Sequence, residues 1–139
     1  MVAGYVGVDL MEDFLQGGLG ATGFSPRSWY LGLYVTNVLI DSTNAPVDFI
    51  ESNDPLYARI LLIAANWTYS VVDGVVTANY PLSVFQFQSG VAVYGYWIVD
   101  STDTYYGGAE EFGSGPINIP VFGGPLPILL TLELVYPGF

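Results

Sequence analysis

Residues 91–108 read VAVYGYWIVDSTDTYYGG and carry the densest group of large aromatic residues in the chain. Counted from Val91, the odd positions (Val91, Val93, Gly95, Trp97, Val99) and the even ones (Ala92, Tyr94, Tyr96, Ile98) are both apolar. Successive side chains of a strand point to opposite faces, so a strand apolar at both sets of positions is one covered on both sides. Residues 91–99 are therefore expected to form one central strand. Residues 100–104 follow as an exposed turn, and Tyr105-Tyr106 as a short edge piece set off by the Gly107-Gly108 return.

Working outward, residues 28–36 (SWYLGLYVT) alternate Trp29, Leu31, Leu33 and Val35 with Tyr30, Gly32 and Tyr34, the composition of a buried strand. Residues 56–64 (LYARILLIA) read as a strand with Arg59 inside it. Asp73-Gly74 joins two runs of β-formers, 67–72 and 75–80, and predicts a two-residue hairpin turn. Residues 82–87 form a further short strand and 117–121 a short edge piece, with the Gly/Pro stretches 113–116 and 123–127 between elements. The last strand, 128–136, alternates Leu130, Leu132, Leu134 and Tyr136 against Leu129, Thr131, Glu133 and Val135, so one face is buried.

Two segments break the β pattern. Residues 8–15 (VDLMEDFL) place Leu10, Met11, Phe14 and Leu15 on one side of a helix and Asp9, Glu12 and Asp13 on the other, with Gly17-Gly18 as a stop. Residues 37–55 read as a long loop, two clusters of turn residues around an apolar piece at 47–50, and such an excursion is either functional or held by a partner. The fold expected is all-β, an antiparallel β-sandwich of jelly-roll or immunoglobulin-like type, with one short N-terminal helix. A chain of 139 residues is expected to be a single domain burying roughly two-thirds of its unfolded surface, with 1–8 and 123–139 as segments that contact neighbours.

Composition narrows the function. No apolar run approaches the ~20 residues of a membrane-spanning helix, and the N-terminus lacks the pattern of a secretion signal. Cysteine and histidine are absent, which removes disulfides, thiolate and imidazole metal sites, and nucleophile–imidazole pairs. Thirteen acids stand against Arg27 and Arg59, a formal charge of −11, so nucleic acid and anionic membranes are not expected partners. No Gly-rich segment matches a phosphate-binding P-loop, and there is no lysine to reach a phosphate. Paired carboxylates for hydrolysis, Asp100 with Asp103 or Glu110 with Glu111, sit in turns where acids are ordinary turn chemistry. The oxygens of Asp100, Ser101, Asp103 and Thr104, or of Asp41, Ser42 and Asn44, are of the hard type calcium takes, but lack the EF-hand spacing. No catalytic residue, metal site or cofactor is assigned.

Arg59 has two readings: its stem lies along apolar surface with the head in solvent, or it pairs with an acid of this fold or of an adjacent subunit. The aromatic residues suit a core and subunit interfaces better than a sugar platform, because alternation places them in strands. Arg59, Tyr57, Trp29, Tyr96, Trp97, Tyr105 and Tyr106 are the interface candidates.

The order of these pieces resembles a family of small tailed-bacteriophage virion proteins. The likeness rests on Tyr30-Leu31-Gly32-Leu33-Tyr34 after an N-terminal helix and on Tyr57-Ala58-Arg59 after a turn-rich loop. It continues in Tyr94-Gly95-Tyr96-Trp97-Ile98-Val99-Asp100, which leads to the Gly107-Gly108 return. It extends over roughly residues 8–136. The chain departs from that pattern in lacking lysine, in its acidity, and in the 51–55 loop where the family places glycines. The resemblance implies a non-enzymatic capsid decoration (cement) protein on the virion exterior, made in the host cytoplasm, a homo-oligomer, expected as a trimer, bound to the major capsid protein. A tail, baseplate or fibre protein is the alternative, and a carbohydrate-binding module using exposed Trp and Tyr is the reading from another class.

Overall fold

The computed structural model describes residues 5–7, 10, 28–41 and 43–133. The fold is nearly all β, with twelve strands among the described residues: β1 (Tyr5–Val6), β2 (Trp29–Tyr34), β3 (Ile60–Leu62), β4 (Thr68–Val72), β5 (Val75–Asn79), β6 (Ser83–Phe87), β7 (Val91–Val93), β8 (Gly95–Asp100), β9 (Tyr106–Glu111), β10 (Ile117–Ile119), β11 (Gly124–Ile128) and β12 (Thr131–Glu133). A five-stranded sheet has the order β1-β9-β8-β2-β3, and three smaller sheets have the orders β12-β5-β4, β11-β6 and β10-β7. Every pairing is antiparallel, and the arrangement is sandwich-like. The expected helix at 8–15 lies outside the described residues except for Leu10, which is buried. Of the expected last strand 128–136, Ile128 ends β11, Thr131–Glu133 form β12, and 134–136 lie outside the described residues as well.

All six residues of β8 are buried, as apolar positions on both faces require. Tyr96 and Ile98 on one face join Leu31 and Leu33 of β2 in the main core, which Phe85, Phe87, Leu126, Ile128 and Leu132 complete from the smaller sheets. Trp97 and Val99 on the other face join Tyr34 and Ala109, and Phe49 from the long loop closes over them. The sheet is thus covered on one side by strands and on the other by a loop of the same chain.

Small residues make the second face possible. Gly32 and Ala109 stand directly across from Trp97 on the two neighbouring strands, and Gly95 stands across from Tyr34. A glycine opposite a large ring lets the ring lie down over the neighbouring backbone, a cross-strand arrangement that offsets the glycine's weak packing. A Cβ at Gly32 would come within 2.7 Å of Trp97 Nε1, and one at Gly95 within 2.1 Å of the Glu110 carbonyl oxygen.

Several boundaries differ from the sequence reading. Residues 91–99 are two strands, because the chain changes hydrogen-bond partners at Tyr94: β7 pairs with β10, and β8 passes into the large sheet between β2 and β9. Tyr94 N–H donates to the Tyr34 carbonyl and the Phe112 N–H to the Tyr94 carbonyl, which fastens the crossing point. Residues 105–108 are not an edge piece with a return; Tyr106, Gly107 and Gly108 open β9, an interior strand whose register shifts at Ile98/Val99. The stretch 123–127 was expected to be a turn, yet most of it is β11. The 56–64 strand shrinks to β3, with Arg59 just before it. The Asp73-Gly74 hairpin forms as expected, with φ of 51° and 78° at its two central residues, the positive values a type I′ turn needs.

The two glycines of the second face are testable. Gly32→Ala is expected to cost about 1–3 kcal/mol, the range for overpacking, because the indole edge it meets is held by the residues around it. Gly95→Ala is expected to cost more, since it meets main chain. Urea midpoints at unchanged slope measure both, and wild-type midpoints in either variant would refute the packing account.

Candidate functional site

The described residue that departs most from its surroundings is Arg59, a cation at the mouth of the face formed by Trp97. Its Nε and Nη2 groups both donate to Glu51 Oε1, at 2.8 and 2.5 Å, and Nη1 donates to Asp103 Oδ1 at 2.5 Å. The guanidinium carbon lies 5.3 Å from the Trp97 ring centre, within cation–π range. Of the two sequence readings, the acid pairing is the one realised, and both acids come from this chain. Tyr57 completes the cluster: its hydroxyl donates to Glu51 Oε2 at 2.5 Å and accepts the Leu33 N–H at 2.9 Å.

Local chemistry places each member. Asp41 Oδ1 accepts the N–H and hydroxyl of Thr43, and Asn44 Oδ1 accepts the Asp41 N–H, so Asp41, Thr43 and Asn44 are tied to one another. Asp48 accepts the Ala45 N–H and caps the 3-10 turn Pro46–Asp48, which delivers Phe49 to the sheet. The Val35 N–H donates to the Ile50 carbonyl and ties this segment back to the end of β2. Phe49 stacks on Trp97 at 4.8 Å between ring centres and on Tyr106 at 5.3 Å, and meets Tyr34 edge-on at 5.2 Å.

Asp54 anchors the far end. Its carboxylate accepts the backbone N–H groups of Leu56, Gln88 and Ser89 and the Ser89 hydroxyl, which fastens the loop to the turn between β6 and β7. Asp100 does the same within the turn after β8. Its oxygens accept the N–H groups of Thr102, Thr104 and Tyr105 and the Thr102 hydroxyl, and Asp103 is held at φ 57° facing Arg59. Burial pushes both carboxyls up, but the hydrogen bonds outweigh it and hold each below its ordinary value.

Loop, Arg59 and turn enclose an open pocket of about 300 Å³ lined by Pro46, Val47, Phe49, Arg59, Trp97 and Asp103. The two hydrogen-bonded carboxylates raise the Arg59 pKa despite its partial burial, and burial followed by the Glu51 hydrogen bond raises that of Tyr57, so both keep their protons far above neutral pH. The Trp97 indole N–H and the Tyr34 hydroxyl are buried and without a hydrogen-bond partner among the described residues. Burial likewise raises the pKa of Tyr96, whose hydroxyl donates to Glu110 Oε2 at 2.7 Å, and that of Glu110. The cluster fixes geometry by paired, charge-assisted hydrogen bonds. Among the described residues no group of three or more His, Cys, Asp or Glu is placed to hold a metal ion.

Of the seven interface candidates, Arg59, Tyr57 and Trp97 come together in this cluster, and Tyr106 borders it through Phe49. Trp29 and Tyr96 belong to the main core, while Tyr105 is exposed on the turn. Phe49, Glu51 and Asp54 were not singled out by sequence reasoning. The signal for Glu51 was the demand Arg59 makes for an acid, and a lone Phe among turn residues was the signal for Phe49. No family model matches the sequence, and a search of curated proteins returns no relative.

Phe49→Ala removes a ring that contacts three others and is expected to cost about 3–5 kcal/mol, with tryptophan emission shifting to the red as Trp97 loses its cover. A loss below about 1 kcal/mol would show that the loop does not close the sheet. Asp54 and Asp100 make a pH prediction. Their folded pKa values are depressed, so the stability they contribute is complete above the unfolded carboxyl range near pH 4 and is lost as pH falls through the folded values. Glu110, raised by burial, runs oppositely: its contribution is complete below its unfolded pKa and is lost as pH rises through the folded one. Melting temperature should therefore fall on acidification below about pH 4, and less steeply in Asp54→Asn and Asp100→Asn. Acid slopes identical to wild type in both variants would refute the assignment.

Proposed function

We propose that this chain is a non-enzymatic structural protein of a bacteriophage particle, a decoration protein that docks on the outer surface of the capsid shell. The observation that carries the reading is the contrast between polar groups engaged internally and large apolar side chains left in solvent. Arg59, Glu51, Asp54 and Asp100 are all bonded within the chain, whereas Phe122 is 93% exposed and Val47 85%. Exposed apolar surface of this kind suits docking to another protein surface.

Two further points support it. The segments that carry the resemblance to virion proteins are adjacent in space: 30–34 lie in β2, 57–59 lead into β3, 95–100 form β8, and Gly107-Gly108 lie in β9, four neighbours of one sheet. A charge of −11 suits a subunit held outside a shell and away from packaged DNA. A sugar-binding platform finds less support, since Trp29, Trp67, Tyr96 and Trp97 are buried.

Cryo-EM of particles carrying a tagged copy tests the proposal. Density on the shell exterior, together with shells that disrupt at lower temperature when the protein is omitted, is the expected result. Density confined to the tail would move the protein to a tail or baseplate role, and absence from purified particles would overturn both.

A further inference from the structure

Residues 36–50 leave the end of β2 and come back to it. The Val35 N–H donates to the Ile50 carbonyl at 2.8 Å, which closes a neck. Past the neck, Glu51 is fixed by Arg59, and Asp54 by the Gln88 and Ser89 N–H groups. Between these ends, every hydrogen bond among the described residues is local. Thr43 donates to Asp41, Asp41 to Asn44 and Ala45 to Asp48, while the Asp48 and Phe49 N–H groups donate to the Ala45 and Pro46 carbonyls. None of these bonds reaches the sheet. A loop whose ends meet and whose polar groups satisfy one another is an Ω-loop, a unit that holds its shape by its own contacts.

What fastens this loop to the sheet is apolar and narrow. Phe49 is the one buried residue among those described in 36–50; Val38 and Ile40 are half-buried beside it, and Leu39, Val47 and Ile50 are exposed. The open pocket lies on the seam, with Pro46, Val47 and Phe49 on the loop side and Arg59, Trp97 and Asp103 on the other, so one flank of the loop is already undercut. Two of the rings Phe49 meets, Trp97 and Tyr34, each carry a buried polar atom with no hydrogen-bond partner among the described residues. Keeping water off such atoms penalises the closed state, and withdrawal of Phe49 reduces that penalty.

From this we infer that residues 36–50 are a hinged cover, which opens as one unit about the Val35–Ile50 neck and withdraws Phe49 while the rest of the fold stays intact. Opening takes one buried ring off the sheet and breaks none of the loop's own hydrogen bonds. The main core is left closed, because β8 meets it through Tyr96 and Ile98 on the opposite face. What opening uncovers is the second face, with Trp97, Tyr34 and Ala109. The cover works with or without a virion, since it depends only on contacts within this chain.

The chain has no cysteine, so a single introduced thiol reports on its own surroundings. Ala109→Cys places one in the cluster under the cover and Ala78→Cys places one in the main core, both at fully buried positions. Labelling of the folded protein with a thiol reagent, dilute enough that reclosing outruns reaction, measures the opening that exposes each thiol. Ala109→Cys is expected to react at least about a hundredfold faster than Ala78→Cys. Its rate should be nearly flat in dilute urea, because a local opening exposes little surface, whereas the Ala78→Cys rate should climb with the slope of global unfolding. Adding Phe49→Leu should speed both by the same factor, since the ring's contacts are lost in the opened and the unfolded state alike. Should Ala109→Cys melt early, Val99→Cys on the same face replaces it. Equal rates and equal urea slopes at the two positions would overturn the inference, because no opening short of global unfolding then exists. An effect of Phe49→Leu on Ala78→Cys alone, or on neither, would overturn it as well, because the opening then leaves Phe49 in place or Phe49 fastens nothing.

Discussion

The contact on which the described structure turns is the stacking of Phe49 on Trp97. A five-stranded sheet whose central strand is apolar on both faces needs two covers, and strands provide only one of them. The second comes from a loop with little regular structure of its own, which must be ordered at an entropic cost of roughly 1–2 kcal/mol for each residue fixed. One ring does not offset that cost alone. The Asp41 turn, the Asp48 cap, the Glu51–Arg59 pair and the Asp54 staple each remove freedom from a different part of the loop, so that Phe49 arrives already oriented. The polar chemistry of residues 41–59 is best understood as the means by which an apolar ring is held.

The same contact explains why a charged side chain sits beside an aromatic interior. An arginine partly removed from water loses hydration, and its pairing offsets the loss only when its donors are matched by well-placed acceptors. Arg59 meets that condition with three of its N–H groups, while Trp97 offers the guanidinium the face of its ring. The packing has its own cost. Gly32, Ala109 and Gly95 let Trp97 and Tyr34 lie flat, but flat rings point their polar edges where the described residues place no acceptor. A buried donor left unbonded costs on the order of 1–3 kcal/mol, so tight aromatic packing here is bought against two unsatisfied polar atoms.

This division between strand and loop is also the line between what was legible in the sequence and what was not. Alternation is local, so the double burial of β8, the inward Leu130 and Leu132, and the Asp73-Gly74 hairpin could be read directly from residue order. Where glycine and proline fall inside strands, local propensity points the wrong way: Gly107-Gly108 and Pro125 and Pro127 read as turns, yet they pair within β9 and β11 because neighbouring strands supply the partners. The break at Tyr94 leaves no mark in composition, since both strands it separates are apolar. The Arg59 cluster was half legible. A lone cation in an apolar segment asks for an acid, but nothing local says that the acids are Glu51 and Asp103, eight and 44 positions away.

The acids then divide into two populations with opposite effects. Asp41, Asp48, Glu51, Asp54 and Asp100 accept hydrogen bonds from main chain or from Arg59, and their charge is balanced by donors placed close by. Asp73, Glu111 and Glu133 add to the net negative charge of the whole chain, whose long-range repulsion acts between molecules. Residues 74–99 and 112–132 carry none of this charge, and much of both runs is core: Phe85, Val93, Tyr96, Leu130 and Leu132 are buried. The two populations act at different ranges: the bonded acids hold the loop and the turns in place through contacts of about 3 Å, while the others act only through the net charge of the whole chain.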